Sequence, residues 1–285
     1  MRNESEMLDT IINVANVDEN IKAVVLCGSR ANNTVKKDIY QDYDIIFIVN
    51  ETDKYVDSDY FRKCFGERVL LFRPDKIYPE LFENTCAYLM LFDDENRIDL
   101  RICTTEKFMR IYEVEELGQP MIKLIDKNNF LPEIAGKIND VFTIKIPNEK
   151  AYNDTCAEFF WELQNIGKGI MRDEISYVMF LLNVSVRDML NRMIDWYIGV
   201  HNDFSVTTGK LGKYYKEYLD ERLYNMYKKT YPRAEYYEVW EVLMIMIKLF
   251  KETAICVANE FEFIFPEESE IVILEHLEYL KGTCN

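Results

Sequence analysis

Ala23-Val24-Val25-Leu26-Cys27-Gly28-Ser29-Arg30, with Asp42-Tyr43-Asp44-Ile45-Ile46-Phe47-Ile48-Val49 opening twelve residues after Arg30, decides the fold of the first half of the chain. Each apolar run is rich in β-branched residues and short enough for a buried strand. Gly28 ends the first run, where a residue without a Cβ lets the backbone turn sharply and approach a ligand. Ser29 offers a backbone N–H and a hydroxyl to a phosphate oxygen, and Arg30 adds a planar cationic donor of the same preference. Asp42 and Asp44 begin the second run. Side chains two apart on a strand share a face, roughly 6.5–7 Å apart, so both carboxylates are expected to converge. Two converging acids repel unless a cation stands between them, and Mg²⁺ takes one or two carboxylates and completes its shell with water and phosphate oxygens. A phosphate-holding turn joined to a two-carboxylate clamp points to nucleotidyl transfer.

A third acid lies further on. Ala87-Tyr88-Leu89-Met90-Leu91-Phe92, the polar loop Asp93-Asp94-Glu95-Asn96 and Arg97-Ile98-Asp99-Leu100-Arg101-Ile102 predict a β-hairpin. In its second strand Ile98, Leu100 and Ile102 face one way and Arg97, Asp99 and Arg101 the other. Asp99 is thereby expected to join Asp42 and Asp44, as a metal ligand or as the base for an attacking hydroxyl. An Arg-Asp-Arg ladder on a solvated sheet face fits the same alternation.

Around these motifs the pattern changes character along the chain. Met7, Leu8, Ile11, Ile12 and Ala15 form one helical stripe, and strands are expected over 22–27, 44–49, 68–72, 87–92 and 97–103. Thr104-Thr105-Glu106 has the form of a helix start. Pro132 and Pro147 punctuate a linker. Beyond it, helical periodicity runs over 155–169, 174–200, 211–231, 236–261 and 269–280, with Asp173 and Glu174 placed to cap the second of these or to bind a guanidinium or ammonium group. The expected fold class is α+β: a mixed-sheet domain with helices over residues 1–148, then an all-α bundle over 149–285.

Composition narrows the function further. The 285 residues carry a net charge of −16, which disfavours nucleic acid, whose binding needs clustered Lys and Arg, and favours a cationic acceptor. With two histidines, carboxylates must do the acid–base work. The polar start Met1-Arg2-Asn3-Glu4-Ser5-Glu6 is unlike a signal peptide, and no apolar run is long enough for a bilayer. Cys27, Cys64, Cys86, Cys103, Cys156, Cys256 and Cys284 are scattered singly, several in apolar runs, as core thiols of a reducing compartment are. A cytoplasmic monomer is expected, with no membrane or nucleic-acid partner.

Leu26-Cys27-Gly28-Ser29-Arg30, Gln41-Asp42-Tyr43-Asp44-Ile45 and the segment from Tyr88 to Leu100 resemble the aminoglycoside 6-adenylyltransferases, streptomycin-modifying members of the nucleotidyltransferase superfamily that includes DNA polymerase β. Lys168-Gly169, Arg172-Asp173-Glu174-Ile175, Trp196-Tyr197-Ile198-Gly199 and the run from Asp203 to Lys210 extend the resemblance into the second half. It implies ATP as co-substrate, transfer of AMP to an aminoglycoside hydroxyl, most naturally position 6 of streptomycin, and antibiotic inactivation. By the same resemblance Gly28, Ser29 and Arg30 hold the nucleotide, Asp42, Asp44 and Asp99 the metal, and Asp99 the proton. Phe204-Ser205-Val206-Thr207-Thr208-Gly209-Lys210-Leu211-Gly212-Lys213 is a glycine- and hydroxyl-rich turn. Lys210 and Lys213, three apart, can hold a triphosphate there, although a solvated helix start has the same pattern. Glu83-Asn84-Thr85-Cys86-Ala87-Tyr88 and the run from Glu162 to Gly167, segments expected to line the acceptor pocket, depart from the family's more aromatic pattern, which leaves a different small-molecule or protein hydroxyl as the alternative acceptor.

Overall fold

The computed structural model describes residues 1–32, 35–56, 59–61, 63–113, 120–134 and 143–283. The chain divides into two compact units, Met1–Val141 and Phe142–Asn285. Cys284 lies outside the described residues.

The first unit is built on a mixed six-stranded sheet. Helix α1 (Glu4–Val17) starts with a capping box in which Asn3 and Glu6 satisfy each other's backbone N–H groups. Strand β1 (Ile21–Cys27) follows, then the single turn α2 (Gly28–Ala31), β2 (Tyr43–Val49) and β3 (Arg68–Phe72). After them come the short α3 (Pro74–Ile77), the hairpin β4 (Thr85–Phe92) and β5 (Arg97–Thr104), α4 (Thr105–Glu113), whose first turn is capped by the Thr104 hydroxyl, and β6 (Met121–Asp126). The sheet order is β3-β4-β5-β2-β1-β6, with β2 and β5 parallel and every other pair antiparallel.

Strand β1 is apolar from Ala23 to Cys27 because both of its faces are covered. Ile21, Val24 and Leu26 join Met7, Ile11 and Ala15 of α1 in one core, while Ala23, Val25 and Cys27 meet Phe108 of α4 in another. Strand β6 carries no clear alternation, and its sequence alone did not predict it. Its pairing with β1, about a hundred residues away, makes it a strand. The edge strand β3 leaves Leu70 and Phe72 exposed.

The second unit is helical. Its long members are α5 (Glu149–Met171), the broken pair α6 (Ile175–Phe180) and α7 (Val186–His201), and, after α8 (Tyr215–Tyr218) and α9 (Glu221–Lys228), α10 (Tyr236–Phe261) and α11 (Glu267–Gly282). Helix α7 packs against α5 and α10, and α11 against α5. Phe159 of α5 stacks on Phe250 of α10 with ring centroids 3.8 Å apart in the core.

Three expectations are corrected here. The helix expected over 174–200 is divided by a π-turn at Leu181–Ser185. The one expected over 211–231 breaks into short pieces, because Gly209, Leu211 and Gly212 take positive φ and Asp220 stops the chain to cap α9 through the Leu223 N–H. Asp173, expected to cap α6, has a φ of 59° and accepts the Tyr236 hydroxyl at 2.8 Å instead, and the Glu174 side chain makes no cap bond.

Candidate active site

The sheet brings the acids together by register. Cys27 of β1 pairs with Asp44 of β2, Asp44 with Asp99 of β5, Asp99 with Leu89 of β4, and Leu89 with Phe72 of β3. Paired residues share a face, so one row across the sheet runs apolar, acidic, acidic, thiol. A cleft of about 400 Å³ opens over it, lined by Asp44, Asp99 and Arg101 together with Pro74, Phe82, Ala87 and Leu89. Ala87 belongs to the segment expected to line the acceptor pocket. Gly28 sits directly beneath Asp44 with φ +70°, and a Cβ there would lie 3.1 Å from the Asp44 Cγ.

The electrostatics follow from this crowding. Burial first, then the charges of Asp99 and Asp42, push the Asp44 carboxyl up to about 6, with Arg97 and Arg101 opposing. Burial also holds Asp42 above the usual carboxylate range, where Arg97 opposes it and Asp99 reinforces it. Asp42 lies one residue before β2. Arg97 ties the acids together: its guanidinium grips Asp99 through Nε at 2.7 Å and Nη2 at 2.6 Å, with Nη1 3.4 Å from Asp42. Among the described residues no three His, Cys, Asp or Glu side chains stand in ligand geometry. The donor set is nonetheless all carboxylate, as Mg²⁺ prefers, and Asp44 carries the excess negative potential that a cation would relieve. Those residues fit the ion chemically.

The rest of the first motif divides its labour differently from the sequence expectation. Ser29 is half-buried in the single turn α2. Arg30 is buried, with Nη2 donating to the Gln41 carbonyl at 2.7 Å and Nε to the carbonyls of Gln41 and Asp42. Its guanidinium also lies 3.9 Å from the centre of the Tyr43 ring. The turn after β1 is therefore pinned to the residues that deliver Asp42, and Arg30 works as a brace for the acids. Arg97 and Arg101 were given no role by the sequence reasoning. The signal was present in the alternation of β5, which puts both on the face of Asp99.

A family model described as streptomycin adenylyltransferase matches residues 1–280. The chain belongs to the streptomycin adenylyltransferase family. It is 33% identical over 270 residues to the aminoglycoside 6-adenylyltransferase of Campylobacter jejuni, covering 93% of this chain and 92% of that one. It is 30% identical over 276 residues to the enzyme of that name from Bacillus subtilis (strain 168), covering 95% of both. A crystal structure of an aminoglycoside 6-adenyltransferase from Bacillus subtilis matches all of both chains at 28% identity with a TM-score of 0.49. The fold is the α+β one expected of this adenylyltransferase family, whose members are enzymes that transfer AMP.

In this adenylyltransferase chain the lysine-bearing turn belongs to the second unit. Lys210 and Lys213 are exposed, and Lys213 Nζ lies 4.9 Å from the Tyr214 ring centre. The turn is anchored from below by Asp195 of α7, a residue that the sequence reasoning passed over. Its Oδ1 accepts the Thr208 hydroxyl at 2.8 Å and the Tyr215 hydroxyl at 2.9 Å, and burial raises its pKa. No helix among the described residues is long and apolar enough to cross a membrane.

Proposed function

We propose that this chain transfers AMP from ATP to a hydroxyl of an aminoglycoside, with position 6 of streptomycin as the preferred acceptor, and so inactivates the antibiotic in the cytoplasm. The observation that carries the proposal is the registered pair Asp44–Asp99, seated over a Cβ-free turn in a cleft, in a chain of this family.

Asp42, Asp44 and Asp99 would hold Mg²⁺, which when bound supplies positive charge against the triphosphate. Gly28 and Ser29 present backbone to the phosphates. Asp99 accepts the proton of the acceptor hydroxyl on a carboxylate oxygen, for which Arg97 must release one of its two contacts. The hydroxyl oxygen forms a bond to the α-phosphorus while the bond from that phosphorus to the bridging oxygen breaks, and pyrophosphate leaves with the electron pair. Lys210, on its braced turn, is proposed to bind phosphate oxygens. The net charge of −16 suits a polycationic acceptor.

Incubation with Mg²⁺, ATP and separate acceptors tests this: streptomycin, a spectinomycin-like aminocyclitol, a kanamycin-like aminoglycoside and a lincosamide control. Streptomycin should gain the mass of AMP with release of pyrophosphate. Transfer to another aminoglycoside only would overturn the acceptor, and no transfer to any would overturn the function.

A further inference from the structure

We infer that Arg101 is the cation that binds the pyrophosphate portion of the donor, an inference that rests on the function proposed above. Three arginines surround the acids, and two are engaged. Arg30 is buried against the carbonyls of Gln41 and Asp42 and the ring of Tyr43. Arg97 is held bidentately by Asp99. Arg101 is exposed, lines the cleft beside Asp44 and Asp99, and makes no hydrogen bond or ion pair among the described residues. It is the one basic side chain among the described residues that line that cleft.

Its position follows from the strand. Arg101 lies two residues beyond Asp99 on β5 and pairs with Ile46, two beyond Asp44 on β2. It therefore stands on the same face as both acids, one strand step further along. Its charge reaches the site, since it opposes the rise in the Asp44 pKa and that of the Cys27 thiol.

Charge decides which substrate it serves. A guanidinium facing a polycationic acceptor would repel it, whereas a planar fork of donors matches phosphate oxygens. In the transfer step the bridging oxygen keeps the electron pair of the broken bond, so negative charge grows on the leaving pyrophosphate. An unpaired guanidinium beside the reacting carboxylates stabilises that charge where it develops.

The test uses the full chain and pyrophosphate with Mg²⁺ as the probe, titrated by calorimetry and used as an inhibitor of AMP transfer. Arg101→Ala should weaken pyrophosphate in both measurements by roughly tenfold to a hundredfold, the worth of a charge-assisted hydrogen bond. Arg101→Lys should recover part of that loss, because it keeps the charge and loses the fork. The KM for the aminoglycoside should be little changed. Pyrophosphate binding unaltered in Arg101→Ala, or a loss confined to the aminoglycoside, overturns the inference, as does a parent protein that binds no pyrophosphate. A parent that binds pyrophosphate through Arg101 yet transfers no AMP leaves this inference standing and overturns the proposed function alone. If Arg101→Ala does not melt like the parent, the Lys variant and an Arg101→Gln variant carry the same comparison.

Discussion

Gly28 and Asp44 are packed so closely that any side chain at position 28 must push the carboxylate aside: a Cβ there would overlap Asp44 Oδ2 and stand 3.1 Å from its Cγ. The same glycine has a φ of +70°, a conformation that L side chains occupy at a penalty. One position thus meets two independent demands, the turn after β1 and the seat of the carboxylate.

Gly28→Ala should therefore lose activity more severely than stability. The backbone strain is worth about 1–2 kcal/mol, and displacing Asp44 disturbs the paired acids as well. Thermal melting and AMP transfer measured on the same preparation check this. Full turnover in a folded Gly28→Ala protein would show that Asp44 does not need its present seat.

Asp44→Asn should stabilise the metal-free protein, and more so at high pH. Asp44 holds its proton more tightly in the folded chain, near 6, than at its ordinary 3.8. Ionising it thus favours the unfolded state: the effect is absent below about pH 4 and complete above about pH 6. Melting curves with a chelator at pH 4 and pH 8 should show parent and variant similar at the lower pH, with the variant more stable at the higher. Transfer activity should be lost throughout. A variant less stable than the parent at pH 8 would mean that Asp44 is paired rather than repelled.

Asp99→Asn should lower turnover by roughly 10²–10⁴, the usual contribution of a positioned base, with ATP affinity much less affected. The same substitution removes the largest charge acting on Asp44, so the Asp44 pKa should move down from about 6. Carboxyl chemical shifts followed by NMR across pH in metal-free protein report it. A large loss of ATP binding would make Asp99 chiefly a metal ligand.

Asp195→Ala should destabilise the second unit. It leaves the buried hydroxyls of Thr208 and Tyr215 without their acceptor, a loss of about 1–3 kcal/mol. Tyr215 keeps its bond to the Asn191 carbonyl at 3.0 Å, so the lower part of that range is expected. Asp195→Asn preserves an acceptor and should recover most of it. Denaturant midpoints decide, and an unchanged midpoint in Asp195→Ala would show that the turn carrying Lys210 is held by other contacts.

What the chain disclosed before folding was set by local rules. Alternation in β5 separated Asp99 from Ile98 and Leu100, and the observed burial follows it. The stripe Met7, Ile11 and Ala15 gave α1, because a helix exposes its pattern every three or four residues whatever its partners. The glycine after β1 and the acids around β2 were legible as a candidate site, since each motif lies within a few residues. The run from 211 to 231 misled, as its tyrosine spacing suits a helix while Gly209, Gly212 and Asp220 turn the chain.

The sequence by itself thus determined α1, the strands around the acids and the long helices, and named the acids. Only the tertiary structure decided their partners. Asp44 and Asp99 are fifty-five residues apart, and strand pairing alone places them side by side and raises the Asp44 pKa. Arg30 and Arg97 are equally cationic on paper, yet one braces a loop through backbone carbonyls and the other grips Asp99. Arg101 lines the cleft and makes no hydrogen bond or ion pair among the described residues. Such assignments depend on distance and burial between residues remote in sequence, which no local pattern encodes.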